Sequence, residues 1–329
     1  MTEDALIDAL SALVARPSSR VFVGIGDDAA VWQPSRAHRC VITSDAMVEG
    51  VHFNCDALSS VQIGHRAMAS NISDVAAMGA RPRLATVALS LPPQWTQDRV
   101  LDLYRGMLVP CDAAGVAIAG GDLTRAPILS IAITVVGEVR PSNLKLRSGA
   151  KPGDVLCVTG PLGASRAGLL LADRPEALNG ALREEALRAY RTPQARWREG
   201  LWLGGSRYVH AMMDVSDGLS TDLARLCSRS QCGALVSRVP VARSARAFAE
   251  HVGEDPELFA LAGGEDFELL GAVAERAFMY LAGRFKRHFG RELHPIGVIR
   301  AQTGVSRQTA RGEEVLERLG WEHFGGSGV

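Results

Sequence analysis

Six short acidic clusters, each set among glycine or other small residues beside an apolar run, constrain this chain more than any other feature. They are Gly26-Asp27-Asp28-Ala29-Ala30, Thr43-Ser44-Asp45, Asn71-Ile72-Ser73-Asp74, Gly120-Gly121-Asp122, Asp214-Val215-Ser216-Asp217-Gly218 and Gly263-Gly264-Glu265-Asp266. Singly, each has an ordinary structural use, because Asp after Gly forms turns and Ser or Asp before a helix caps it. Together they are costly: so many carboxylates beside apolar strands lose hydration and repel one another unless a cation compensates. Carboxylate and hydroxyl oxygens are the donors magnesium prefers, and magnesium shares its shell with water and phosphate oxygens instead of filling an all-protein cage. A polyphosphate among carboxylates would itself be repelled without divalent ions between them. The pattern therefore predicts nucleotide phosphates held through several Mg2+ ions.

Around these clusters the first half alternates helices and strands. Residues 62–78 have helical apolar spacing, closed by Gly79 as a left-handed cap with Pro82 soon after. A strand is expected over 84–91, and a second helix over 97–114 with Gly115 as its cap. The β-rich runs 116–119 and 128–139 flank a Gly120-Gly121-Asp122 turn. Turn-forming residues from Ser148 to Asp154 mark a domain boundary, dividing 1–148 from 149–329. The second half opens with a strand at 155–159 and continues with helices at 164–172 and 184–190. Further strands are expected near Met212, Leu235, Phe267 and Ile296, and residues 325–328 read as a frayed tail. A chain of 329 residues suffices for two domains of roughly 150 each. The expected fold is α/β with mixed sheets, in two lobes with a cleft between them.

Composition excludes several function classes. The formal charge is zero, with 36 Lys and Arg against 36 Asp and Glu, so no general attraction draws the chain to nucleic acid or an anionic membrane. The first segment carries Glu3, Asp4 and Asp8 and lacks the basic start of a signal peptide, and no stretch approaches the roughly 20 apolar residues of a membrane span. Six cysteines, Cys40, Cys55, Cys111, Cys157, Cys227 and Cys232, contain no C-x-x-C pair, which argues against a zinc knuckle, a redox motif or a disulfide framework and fits a reducing cytoplasm. The phosphate-binding Gly-x-x-x-x-Gly-Lys-Ser/Thr loop is absent, as are the protein-kinase set, a full dinucleotide fingerprint, a Gly-x-Ser-x-Gly elbow and a zinc-type histidine pair.

With these residues in view, the chain resembles the thiamine-monophosphate kinases, a family of the aminoimidazole-ribonucleotide-synthetase-like ATP-binding superfamily. The resemblance runs nearly end to end. Its most specific stretches are Gly24-Ile25-Gly26-Asp27-Asp28-Ala29-Ala30, Ser44-Asp45 through Glu49-Gly50-Val51-His52-Phe53, and Asn71-Ile72-Ser73-Asp74 through Ala80. Later come Gly120-Gly121-Asp122-Leu123-Thr124-Arg125, Arg147-Ser148-Gly149-Ala150, Asp214 through Leu219, and Gly263-Gly264-Glu265-Asp266-Phe267-Glu268-Leu269. The resemblance implies an N-terminal α/β domain that dimerises through its strands, a C-terminal α/β domain, and ATP at the cleft. It carries Asp28, Thr43, Ser44, Asp45, Asp74, Asp122, Asp214 and Asp217 onto metal-site positions, with Asp28 preferred to Asp27. Gly121, Asp122, Arg147 and Ser216 correspond to ATP contacts, and His52, Glu265 and Trp321 to positions facing thiamine monophosphate.

On sequence alone, His52 between Val51 and Phe53 reads as a partly buried core histidine, Trp321 as a C-terminal packing residue and Arg147 as a surface arginine. The resemblance moves all three towards binding. The implied reaction is ATP-dependent phosphorylation of thiamine monophosphate to thiamine diphosphate. Its acceptor is already a phosphate monoester, ionised near neutral pH, so no general base is expected. The task is to bring two polyanions into line, which calls for metal ions and positioned cations. No residue is therefore assigned as catalytic acid or base, and direct in-line transfer in a cytoplasmic homodimer is expected. The alternatives are another ATP-dependent synthetase of the superfamily or a non-catalytic nucleotide sensor. The hydrogenase-maturation carbamoyl dehydratase is disfavoured, since it would end in a reactive cysteine where this chain reads Phe324-Gly325-Gly326-Ser327-Gly328-Val329.

Overall fold

The computed structural model describes residues 2–16 and 20–321, so the expected tail at 325–328 lies outside the described residues. The chain divides into two compact units, Met1–Leu144 and Lys145–Val329.

Unit 1 runs α1 (Glu3–Val14), β1 (Val21–Val23), β2 (Val31–Trp32), β3 (Arg39–Val48), α2 (Ser60–Ala77), β4 (Arg81–Leu91), α3 (Gln97–Ala114), β5 (Ala117–Arg125) and β6 (Ser130–Val139). Its main sheet has the order β3-β6-β4-β5, antiparallel except for the β4–β5 pair. Helix α2 starts on a capping box in which the Ser59 side chain accepts from Gln62 N–H and Gln62 Oε1 accepts from Ser59 N–H. Gly79 follows with a φ of 69°, as its spacing predicts. Alternate strand residues such as Val87, Leu89, Ile131, Ile133 and Val135 are buried with Ile63, Met68, Ile72, Leu103 and Met107 from the two long helices. Those helices approach unusually closely: a Cβ added to Gly64 would lie 1.9 Å from Leu103 O, and one on Gly106 would lie 1.9 Å from Val61 O. The two glycines form a reciprocal seam that admits no larger side chain without separating α2 from α3.

One expectation is corrected here. Gly120-Gly121-Asp122 is not a turn between two strands but lies inside β5. The register passes from Ala85↔Ile118 to Thr86↔Gly120, so Ala119 is the extra residue of a bulge. A Cβ on Gly121 would lie 1.9 Å from Val87 O, so glycine serves a close strand approach and not a reversal.

Unit 2 continues with β7 (Val155–Val158), α4 (Ala164–Leu170), α5 (Gly180–Arg191), α6 (Trp197–Gly204), β8 (Val209–Asp214), α7 (Leu219–Ser230) and β9 (Gly233–Val236). Then come α8 (Arg243–Val252), α9 (Pro256–Ala262), β10 (Leu269–Val273), α10 (Glu275–Phe289), β11 (His294–Arg300), β12 (Gly304–Thr309) and β13 (Gly312–Val315). Its sheet has the order β13-β12-β9-β11-β7-β10-β8. Leu156, Val158, Met213, Leu270 and Ile296 from the sheet and Leu219, Leu223 and Leu226 from α7 form one buried cluster. This packing holds the start of α7 against the ends of β8 and β10. Among the described residues no helix is long and apolar enough to cross a membrane.

Candidate functional site

In unit 1 strand alternation distributes the acidic residues over two faces of one sheet. Thr43 and Asp45 point towards α2, where Thr43 Oγ1 donates to Asp74 Oδ2 at 2.6 Å and the Asp45 backbone N–H donates to Asn71 Oδ1 at 3.2 Å. Asn71 and Asp74 share a helix face because they are three residues apart. Ser44 points the other way and accepts from Thr134 Oγ1 at 3.0 Å. On that side, pairing aligns Ser44 with Thr134, Thr134 with Thr86 and Thr86 with Gly120, and the next row ends at Asp122. The row opens into a cavity of about 820 Å³ whose walls include the 24–30 segment, Thr86, Gly121, Asp122 and Thr134. Asp28 and Asp122 therefore share a cavity. Asp27 Oδ1 accepts from the Asp28 N–H at 2.8 Å and closes a local turn.

His52 sits half-buried in the turn after β3, where its Nδ1 accepts from Val48 N–H at 3.1 Å. That bond assigns the neutral tautomer with the proton on Nε2.

In unit 2 two loops are stitched backbone to backbone. Val215 N–H donates to Glu268 O, Phe267 N–H to Val215 O, and Glu265 N–H to Ser216 O at 2.7 Å. Glu265 and Phe267 both hold positive φ, 60° and 49°, a strained backbone of the kind retained where a loop must present particular groups. Asp214, at the end of β8, is buried. The C-terminal segment joins the same place: Leu319 N–H donates to Ser220 Oγ, Gly320 N–H to Thr221 Oγ1, and Trp321 N–H to Asp217 O at 3.0 Å. The Trp321 side chain is 44% exposed. Ser216, Asp217, Glu265 and Trp321 thus converge. Arg147 lies elsewhere, in a turn at Arg147–Gly149 whose Arg147 O accepts from Ser230 Oγ at 2.6 Å. That anchor is at the far end of α7, about 18 Å from the Ser216 loop at 1.5 Å per residue.

Beneath these loops lie three further carboxylates, Asp222, Asp266 and Glu268, of which sequence reasoning missed Asp222 and gave the other two no structural role. Asp222 Oδ2 accepts from both Ser216 and Asp217 N–H groups at 3.0 Å, while Arg225 pairs with Asp222 Oδ1 and with Asp217. Burial, with the Asp217 carboxylate beside it, pushes Asp222 up to about 6. Asp266 accepts from Gly163 N–H at 2.7 Å, and its burial pushes its carboxyl up to about 8. Glu268 accepts from Thr159 Oγ1, Arg196 and Arg291. Burial pushes Glu268 up, but the two guanidinium groups outweigh it and hold the carboxyl below its ordinary range. The signal for Asp222 was its position, five residues beyond Asp217 on a helix that buries Leu219, Leu223 and Leu226 beside it.

Among the described residues no three acidic, histidine or cysteine side chains form a preformed cation cage. The donor set is nonetheless of hard oxygens, Thr43 and Asp74 already touching and Asp28 and Asp122 sharing a cavity, which suits an ion completed by water and phosphate.

Two family models cover most of the chain: AIR synthase related protein, N-terminal domain, matches residues 26–139, and AIR synthase related protein, C-terminal domain, matches residues 151–307. The thiamine-monophosphate kinase of Bacillus subtilis (strain 168) is 33% identical over 98% of this chain and 100% of its own length. The crystal structure of the thiamine-monophosphate kinase from Stenotrophomonas maltophilia K279a is 34% identical, covers 93% of this chain and 96% of its own, and superposes with a TM-score of 0.83. The structure of AaThiL complexed with AMPPCP and TMP is 28% identical, with a TM-score of 0.77 over 98% of this chain and 97% of its own.

Proposed function

We infer the function from one premise: the chain belongs to the AIR synthase related protein family and, within it, to the thiamine-monophosphate kinases. It is a kinase that transfers the γ-phosphoryl group of ATP to the phosphate of thiamine monophosphate, giving thiamine diphosphate and ADP. The observation that carries this reading is the near full-length match to a protein solved with AMPPCP and TMP together, one an ATP analogue and the other the acceptor.

Transfer is direct and in line. The acceptor oxygen is ionised near neutral pH, so the protein's residues bind and orient and no side chain need remove a proton. Asp28, Thr43, Ser44, Asp45, Asp74 and Asp122 of unit 1 and Asp214 and Asp217 of unit 2 would hold Mg2+, which supplies positive charge to the phosphate oxygens. Gly121 and Ser216 offer backbone to bound phosphates, and Arg147 offers an exposed cation on an anchored turn. Trp321 presents an exposed indole face and Glu265 a carboxylate beside the Ser216 loop, a pairing suited to a cationic thiazolium and its aminopyrimidine. His52 presents Nε2–H as a donor.

Unit 1 also supports a two-fold homodimer. Helices α2 and α3 cover one face of its sheet, while the other face bears Ser44, Ala46, Thr86, Ala88, Ala132 and Thr134 with Ile42 68% exposed. Small side chains and an exposed isoleucine suit a second copy of the sheet. Light scattering at micromolar concentration tests it, and a monomeric mass removes it. All six cysteines are free thiols, with Cys40 exposed, in keeping with the cytoplasm. The function is tested by incubating the purified chain with ATP, Mg2+ and thiamine monophosphate and separating the products. Thiamine diphosphate and ADP should appear in equal amounts, and ADP without thiamine diphosphate would overturn the reading.

A further inference from the structure

The C-terminal end of α7 carries chemistry that phosphoryl transfer does not use. Gln231 follows the helix with a φ of 53°. Two backbone bonds close the end: Gln231 N–H donates to Ser228 O at 3.3 Å, and Cys232 N–H donates to Cys227 O at 3.0 Å. This is the Schellman arrangement, which sets the side chain third from the helix end against the one just beyond the left-handed residue, usually as an apolar contact. Here both positions are cysteine, so the helix stop sets the two thiols side by side. The helix stop thus assembles a dithiol at a spacing that a search for C-x-x-C passes over. Both residues are almost fully buried, at 3% and 4% exposure. Both nevertheless line an open cavity of about 750 Å³, whose walls also include Ser228, Gln231, Thr303 and Arg318.

We propose that Cys227 and Cys232 are a redox modification site, closed to an intrachain disulfide by a hydroperoxide that enters through this cavity. One sulfur attacks the peroxide oxygen, the O–O bond breaks, and the departing hydroxide takes the thiol proton as water, leaving a sulfenic acid. The neighbouring sulfur then attacks the sulfenic sulfur and expels hydroxide, which leaves as a second water with the second thiol proton. Two thiols lose two electrons and two protons, and hydrogen peroxide gains them. Burial pushes the Cys227 thiol up to about 12 and also raises Cys232, so little thiolate exists at neutral pH and the pair reacts slowly, faster as pH rises. It records sustained oxidation in preference to a brief pulse.

The site is wired to the turn at the same helix end. Ser230, between the two cysteines, donates to Arg147 O at 2.6 Å and accepts from Ala150 N–H at 3.0 Å. Clamping Cys227 to Cys232 therefore bears on the Arg147–Gly149 turn. The consequence for ATP rests on the functional reading above, whereas the disulfide does not.

The experiment treats the reduced full-length protein with hydrogen peroxide, blocks remaining thiols, digests with trypsin and maps the peptides. Arg229 lies between the cysteines, so peptides 226–229 and 230–238 separate unless joined. The expected result is a joined pair, an intact mass lower by about 2 Da and full reversal by dithiothreitol. Exhaustive oxidation without a joined pair, or one joining either cysteine to a different partner, overturns the site. Wild-type mapping needs no variant, and Cys232→Ala should show no such mass loss. In a parallel assay the oxidised enzyme should show a dithiothreitol-reversible rise in the KM for ATP of about two- to tenfold. A joined pair with unchanged kinetics overturns the transmission to Arg147, while a reduced enzyme with no kinase activity counts against the functional reading and leaves the peptide map to decide the site.

Discussion

The two groups of acidic residues are held in position by different physics. In unit 1 Thr43, Ser44, Asp45 and Asp122 sit on strands and Asp74 on a helix, so regular alternation aims each side chain and their outer atoms lie at the surface or in a cavity. In unit 2 Ser216, Asp217 and Glu265 sit on loops, and their orientation depends on charged groups beneath them: buried Asp222 with Arg225, half-buried Asp266, and buried Glu268 with two arginines. A site built on regular elements tolerates change of its charged atoms. A site built on loops couples function to folding.

The largest expected effect breaks the comparison on the unit 1 side. Asp122→Asn removes a charge from an exposed position inside β5, so turnover should fall about 10²-fold or more while the melting temperature stays within error. Steady-state rates at saturating Mg2+, measured alongside thermal unfolding, check it. Near-normal turnover would make Asp122 structural.

On the unit 2 side, Asp222→Ala leaves the Ser216 and Asp217 N–H groups without their acceptor and Arg225 without a buried partner. It should cost about 3 kcal/mol of stability, since each stranded buried donor is worth 1–3 kcal/mol. Activity should fall with it, and urea unfolding measures the loss. Asp222→Asn, which keeps one acceptor oxygen, should recover part of both.

Asp266 sharpens the contrast through pH. Burial raises its folded value to about 8 from the ordinary carboxyl value of about 3.8, so between those values the native state binds the extra proton. Stability is then unpenalised below about pH 4 and declines as pH rises towards 8, because the fold must either keep the proton or bury the charge. Asp266→Asn should flatten that decline in unfolding free energies at pH 5, 6.5 and 8. An equally steep slope in the variant would assign the effect to other groups.

The smallest effect concerns the acceptor. Indole stacking on a cation is worth roughly 0.5 to 2 kcal/mol, so Trp321→Ala should raise the KM for thiamine monophosphate about tenfold or less and leave that for ATP nearly unchanged. Equal losses for both substrates with a lowered melting point would make Trp321 a clasp on the Asp217 loop.

The sequence disclosed what local chemistry determines. The ends of α2 and α3 were read from Gly79 and Gly115, because left-handed glycines act within a turn, whereas the Ser59 capping box, which starts α2 two residues before the expected 62, went unread. The Gly120-Gly121-Asp122 segment was misread since glycine is as consistent with a turn as with a strand pressed against its neighbour, and only Val87 O decides between them. Trp321 was legible as a residue but not as a neighbour of Asp217, which depends on a pairing about 100 residues long in sequence. Asp266 and Glu268 stood in a quoted motif, but their structural use was hidden because their partners come from distant segments such as Gly163, Arg196 and Arg291, whereas Asp222 is held locally by Ser216, Asp217 and Arg225.

The strand order of unit 2 has a consequence for the order of events during synthesis. Strand β7 is the first of its sheet to leave the ribosome, yet its two hydrogen-bonding neighbours are β10 and β11, whose pairing joins Val158 to Leu270 and to His294. More than a hundred residues must therefore be made before the first strand has either edge covered, whereas in unit 1 the longest-spanning pair joins Arg39 to Val139 and closes without any later segment. Non-local pairings of this kind pay loop-closure entropy first and fold slowly. The nascent chain thus carries an apolar strand, Val155-Leu156-Cys157-Val158, with neither edge paired in this sheet through most of the translation of its own domain.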